Sequence, residues 1–136
     1  MESCVFCRIA KGELPASKVF EDASTLAFMD LQSVNPGHAL VVVKPHRANI
    51  YELDDDLASA VFRTAARVAR AVKKAYGCEG VTLLQANEPA GAQTVFHFHI
   101  HVLPRWEGDG LALAWPAKNP PREALEEMAA KLRAVI

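Results

Sequence analysis

No stretch of the 136 residues approaches the roughly 20 consecutive apolar side chains that a bilayer-spanning helix needs, so no membrane segment is expected. A charge surplus is missing too. The 15 Lys and Arg face 16 Asp and Glu, leaving a net charge of −1, and this removes the bulk electrostatic case for binding nucleic acid or an anionic membrane. Cysteine is scarce, with only Cys4, Cys7 and Cys78. An odd number argues against a disulfide framework. The opening stretch MESCVFCRIAKGELP has no basic segment followed by an apolar one, so a secretory signal is not expected and the cytoplasm is the expected compartment. Repeats, low-complexity tracts and long linkers are also absent. What remains is 51% hydrophobic and 23% charged residues, an ordinary globular composition. The length suits one domain spanning residues 1–136 with a sizeable core.

The clearest element is a helix over 54–76. Leu57, Val61, Ala65, Val68, Val72 and Tyr76 recur at three/four spacing and make one apolar face. Asp54 or Asp55 can cap its start, Lys73 and Lys74 suit its last turn, and Gly77 can end it. A short helix is expected over 4–11, stopped by Gly12, and an amphipathic one over 121–134 carrying Leu125, Met128, Leu132 and Val135. Strands are expected at 17–21, 24–30, 38–44, 80–86 and 94–103. Tight turns such as Asn35-Pro36-Gly37 favour antiparallel pairing. The class is therefore α+β, with helices packed on one face of a mainly antiparallel sheet of about five strands.

The stretch FHFHIHVLPR (96–105) puts His97, His99 and His101 at every second position. On a strand they share one face, while Phe98, Ile100 and Val102 point into the core. Three readings compete. A polar exposed face explains the alternation but not three identical residues. A single metal held by all three is poorly served by one rigid strand. A catalytic row fits best, since neutral imidazole is a nucleophile near pH 7 and its neighbours can supply a proton and an anion contact. The loop Ala90-Gly91-Ala92-Gln93-Thr94 brings an amide, a hydroxyl and backbone N–H groups to the edge of that face, all suitable donors to phosphate oxygens.

The run Gln93-Thr-Val-Phe-His97-Phe-His99-Ile-His101-Val-Leu resembles the signature of the histidine triad (HIT) family, His-φ-His-φ-His-φ-φ with φ apolar. The resemblance extends over roughly residues 4–115, through Asp30, Pro36-Gly37-His38, Lys44-Pro45-His46 and Asn87. It implies a HIT fold and nucleotide hydrolase or transferase chemistry at the α-phosphate of a purine nucleotide. It also implies a homodimer whose two sheets join side by side. It makes His99 the nucleophile, His101 the group that contacts phosphate and helps the leaving group, and His38 the residue that orients the row. It implies that Gln93 and Thr94 hold phosphate oxygens, that Asp30 takes the ribose hydroxyls, and that Phe6, Ile9, Phe28 and Leu31 wall the base; for these last four, plain core packing is the alternative. The loop from Asn87 to His97 is one residue shorter than in the phosphoramidase branch, which leaves open how Asn87 meets the nucleotide.

Cys4-x-x-Cys7 suggests zinc or redox chemistry. No strand precedes the pair in a thioredoxin-like pattern, which disfavours redox. With His38, His99 and His101 assigned, His46 and His97 remain as further ligands for a closed, structural Zn²⁺ site, and some bacterial histidine triad proteins resemble this arrangement. The alternative is two small buried residues at i and i+3 of a short helix. No partner is implied for Cys78. Within the family two branches stay open, hydrolysis of nucleoside phosphoramidates and of diadenosine polyphosphates. Leu103-Pro104-Arg105 resembles the second, while Trp115 and the zinc residues resemble bacterial relatives. A non-catalytic nucleotide-binding regulator is the alternative of a different class.

Overall fold

The computed structural model describes residues 3–136. Among the described residues three α-helices, α1 (Val5–Ala10), α2 (Asp55–Tyr76) and α3 (Arg122–Arg133), accompany five strands. The strands are β1 (Lys18–Glu21), β2 (Thr25–Met29), β3 (Ala39–Val43), β4 (Gly80–Leu84) and β5 (His99–Arg105). They form one sheet in the order β1-β2-β3-β5-β4, every neighbouring pair antiparallel. Helix α2 carries the chain from β3 to the far edge at β4. Among the described residues no helix is long and apolar enough to cross a membrane.

The pleat sorts the sheet into two cores. One face of β2, β3 and β5 presents Ala27, Val41, Val43, Ile100 and Val102, joined by Phe98, to Leu57, Val61, Ala65, Val68 and Val72 of α2. The three/four spacing of α2 thus meets the period-two spacing of the strands. Asp54 Oδ1 accepts the Leu57 N–H at 2.8 Å and caps the helix, and Gly77 closes it in the left-handed region at φ 61°. The other face presents Leu26, Phe28, Leu40 and Val42, and there Phe6 and Ile9 of α1 pack.

Two expectations need correction. The helices do not share one face. Only α2 covers the first core, because Phe6 and Ile9 give α1 an apolar side that completes the second. Helix α3 has no buried residue, and its Leu125, Met128 and Leu132 are exposed. Tyr76 likewise stands half exposed at the end of α2. The second correction concerns β5, which begins at His99 rather than at 94. Its register pairs Val42 with His99, so an extension to His97 would run opposite Lys44 and on toward Pro45, which has no N–H to continue a ladder. The chain bends there, and Phe98 N–H donates instead to the Arg47 carbonyl at 2.7 Å. The alternation survives the bend, with Phe98 under α2 and His97 fully buried among the residues of the opposite face.

Candidate functional site

Four of the five histidines meet on or beside the α1 face of the sheet. His99 and His101 come from β5, His97 from the bend before it, and His38 from the turn that leads into β3. That turn depends on Gly37. Its φ of 87° lies in the left-handed region, and a Cβ there would stand 2.9 Å from the Tyr76 ring and 3.2 Å from Pro104.

Hydrogen bonds settle which nitrogen of each ring carries a proton. His99 Nδ1 lies 2.7 Å from the His97 carbonyl oxygen. A carbonyl only accepts, so Nδ1 holds the hydrogen and the Nε2 lone pair is free. The Val34 N–H donates to His38 Nδ1 at 3.2 Å, so the hydrogen of His38 sits on Nε2. From there it reaches His101 Nδ1 at 2.9 Å, with Asp30 Oδ2 at 3.3 Å. His101 therefore carries its own hydrogen on Nε2. The row offers a bare nucleophilic nitrogen at His99 beside an N–H donor at His101, and the two rings lie 5.2 Å apart between centroids.

Burial favours the neutral imidazoles. It pulls the His99 pKa below 6.5, against the opposing pull of the His97 carbonyl and of Asp30. His38 is lowered by burial, with Asp30 opposing. His101 is pulled down to about 4, by burial first and then by His99 and His38.

A cavity of about 390 Å³ opens over the row, within the size range of small-ligand sites. His99, His101, Asp30 and Thr94 line it together with Phe6, Ile9, Phe28 and Leu31. Phe6, Ile9 and Phe28 are both pocket wall and buried core, so those two readings meet in the same residues. Leu31 is fully exposed at the rim. Two other expected residues are engaged elsewhere. The Gln93 side chain accepts the Glu88 N–H at 2.7 Å and donates to the carbonyls of Ala48 and Val95, so it ties the loop beneath Thr94. Asn87 Oδ1 accepts the Ile50 N–H, and its amide exchanges two hydrogen bonds with Gln85; neither Asn87 nor Gln93 lines the cavity. Leu40 and Val95 line it without having been singled out. Period two would have found both, since Leu40 lies two residues beyond His38 and Val95 two before His97.

A second cluster adjoins the row. Cys4 and Cys7 of the α1 turn, His46 after β3 and His97 place their ligand atoms within 4.8 Å of one another. The distances are 3.3 Å from Cys4 Sγ to His97 Nδ1, 3.5 Å from Cys7 Sγ to His97 Nδ1 and 3.3 Å from Cys7 Sγ to His46 Nδ1. A tetrahedral ion with bonds of about 2.3 Å to sulfur and 2.0 Å to nitrogen has S···N edges of about 3.5 Å, so the donor set fits such an ion. His97 Nε2 donates to the Val43 carbonyl at 2.6 Å, which aims the Nδ1 lone pair at the sulfurs, as an outer partner does for a metal-bound histidine. Asp30, His38 and His101 also converge, but there the nitrogens share a hydrogen bond.

The sequence pattern of the HIT domain matches residues 11–108. The chain is 35% identical over 136 residues to the adenosine 5′-monophosphoramidase of Schizosaccharomyces pombe, covering 96% of this chain and 99% of that one. A crystal structure of a HIT family protein from Bacillus anthracis superposes with a TM-score of 0.94 at 36% identity, covering 99% of this chain and 98% of the other. A zinc-bound histidine triad family protein from Mycobacterium smegmatis superposes at 0.78 with 31% identity, covering 99% of each chain. The chain belongs to the HIT family.

Proposed function

We propose that the protein hydrolyses nucleoside phosphoramidates at the α-phosphate through a nucleotidyl-histidine. One observation carries this reading. The His97 carbonyl locks His99 in the tautomer whose Nε2 lone pair is free, while His101 beside it presents an N–H. In the reaction His99 Nε2 attacks the α-phosphorus and the P–N bond breaks. The amine leaves with a proton from His101, and water then attacks the phosphorus to release the nucleoside monophosphate and free His99. The row is neutral while empty. An arriving phosphate anion favours protonation of His101, which is what the leaving amine requires. His38 holds His101 in orientation, Thr94 meets the phosphate oxygens, and Asp30 turns to the ribose hydroxyls. Phe6, Ile9, Phe28 and Leu31 enclose the purine. Gln93 and Asn87 act by holding the loop. Positioning and fixed hydrogen bonds supply most of the rate.

The phosphoramidate branch is preferred over diadenosine polyphosphates on charge. Among the described residues lining the cavity there is no Lys or Arg. Arg105, which lines a neighbouring hollow with His38 and His101, is held by Asp109 at 2.7 Å and 3.1 Å, so a chain of extra phosphates would find no free cation among the residues lining either hollow. The Schizosaccharomyces pombe relative is an adenosine 5′-monophosphoramidase, which supports the same choice.

We further propose that Cys4, Cys7, His46 and His97 hold a structural Zn²⁺, which when bound would cross-link the chain without entering the chemistry. The protein works as one HIT domain in the cytoplasm and pairs as a homodimer. The edge strand β4 and α2 favour that pairing, since Leu83, Leu84, Phe62 and Ile50 stand exposed around one apolar hollow.

The test is AMP release from adenosine 5′-phosphoramidate and from diadenosine tetraphosphate by wild type and His99→Ala. The first substrate should turn over faster, and the variant should lose on the order of 10³-fold or more. AMP binding without turnover of either substrate would replace this reading with that of a nucleotide-binding regulator.

A further inference from the structure

His97 and α1 each face two ways. The His97 side chain joins the cysteine cluster through Nδ1, while its carbonyl oxygen orients His99 at 2.7 Å. Helix α1 carries Cys7 toward the cluster and Phe6 and Ile9 toward the cavity. The Phe6 ring packs edge-on against His99 at 5.2 Å, His97 at 5.8 Å and Phe28 at 5.6 Å. The helix has only six residues, whereas isolated helices shorter than about 12 residues are marginal in water. Its position therefore rests on what its side chains grip. One grip is the Phe6 and Ile9 contact with the sheet. The other is the cluster, whose remaining ligands, His46 and His97, lie just beyond the ends of β3 and β5 in segments joined by the Phe98 N–H to Arg47 carbonyl hydrogen bond.

We infer that Cys4, Cys7 and His46 are positioning residues for nucleotide binding: a metal ion bound there holds α1 against the histidine row and so sets the nucleoside wall. This rests on reading the cavity as a nucleotide site. The ion touches no substrate in this scheme. Its occupancy decides what fraction of molecules has Phe6 and Ile9 in place. If α1 docks only one-tenth of the time without metal, apparent nucleotide affinity falls about tenfold. Turnover of bound substrate changes less, because His99 keeps its own hydrogen bond to the His97 backbone.

The experiment uses the full chain loaded with zinc, stripped by a chelator, and reloaded. Amide exchange of residues 5–11 is followed beside that of α2 as an internal reference, and AMP affinity is measured by calorimetry. Stripping should speed exchange in 5–11, leave α2 protected and weaken AMP binding about tenfold, with zinc restoring both. In steady state, KM for adenosine 5′-phosphoramidate should rise by more than kcat falls. Cys4→Ser should mimic stripping, and Cys4→His, which keeps a ligand, should restore exchange protection and AMP affinity. Failure to bind zinc would overturn the inference, as would AMP affinity unchanged within about twofold after stripping. Loss of α2 protection together with α1 would also overturn it, because the metal would then support the whole fold. If loaded protein bound no AMP, the nucleotide reading would fail, and the clamp would still be decided by the exchange of 5–11 alone.

Discussion

His97 and His99 are two residues apart on the same face, yet they sit in regions with different chemistry. His97 donates from Nε2 to the Val43 carbonyl and turns Nδ1 toward two sulfurs. His99 donates from Nδ1 to the His97 carbonyl and turns Nε2 toward an open cavity. The ring is the same, and in both cases a backbone carbonyl takes one hydrogen. What differs is which nitrogen it takes and what the other nitrogen meets: soft thiol donors in one region, solvent and a phosphate-sized space in the other. A histidine's role is thus set by its second nitrogen's surroundings, and those surroundings come from α1 and from the ends of β3.

The pair of variants that bears hardest on this contrast is His99→Ala and His97→Ala. The first should cut AMP release on the order of 10³-fold while zinc content stays at the wild-type level. The second should lose tight zinc binding while retaining measurable turnover, because the carbonyl that orients His99 belongs to the backbone. Equal loss of turnover in both, with zinc retained in both, would erase the distinction.

Gly37→Ala probes one region without touching the other. The left-handed φ and the close Tyr76 and Pro104 contacts should cost about 2 kcal/mol or more. The denaturation midpoint should fall, and turnover should drop as His38 shifts from His101. Zinc binding should be unchanged; if it fell in step, the two regions would be one unit.

The smallest expected effect is on pH dependence. His38, His97, His99 and His101 all have pKa values lowered in the folded protein, His101 to about 4 from an ordinary 6.5. Between those two values the unfolded chain binds more protons than the folded one, so stability rises with pH. The His101 contribution is complete above about pH 6.5 and is lost as pH falls toward 4, and the other three act in the same direction. Urea midpoints of chelator-treated protein should therefore be lower at pH 5 than at pH 7.5, and His101→Asn should narrow the difference. An unchanged difference in that variant would show that the row does not carry it.

Much of the fold was legible from periodicity. Helix α2 runs from its Asp54 cap to Gly77, and the buried strands β3 and β5 lie where β-branched and alternating runs put them. The start of β5 was not legible, because it depends on what lies opposite. The register of β3 brings Pro45 level with the approach to His97 and ends the ladder. Among the candidate site residues, those whose role follows from strand parity or an apolar face came together, as with His99, His101, Phe28 and Ile9. Gln93 and Asn87 did not enter the cavity, because the Ala48 carbonyl and the Ile50 N–H, 45 and 37 positions earlier in the chain, engage their side chains instead.

The sequence by itself determined which faces the side chains take, since strand parity and helical spacing are local properties of the chain. It also determined the chemical inventory of imidazoles, thiols and carboxylates. Only the tertiary structure decided the tautomers of His97 and His101 and the meeting of Cys4 and Cys7 with His46 and His97. Both depend on groups brought together across as many as 93 positions of sequence, and no local pattern encodes such a distance.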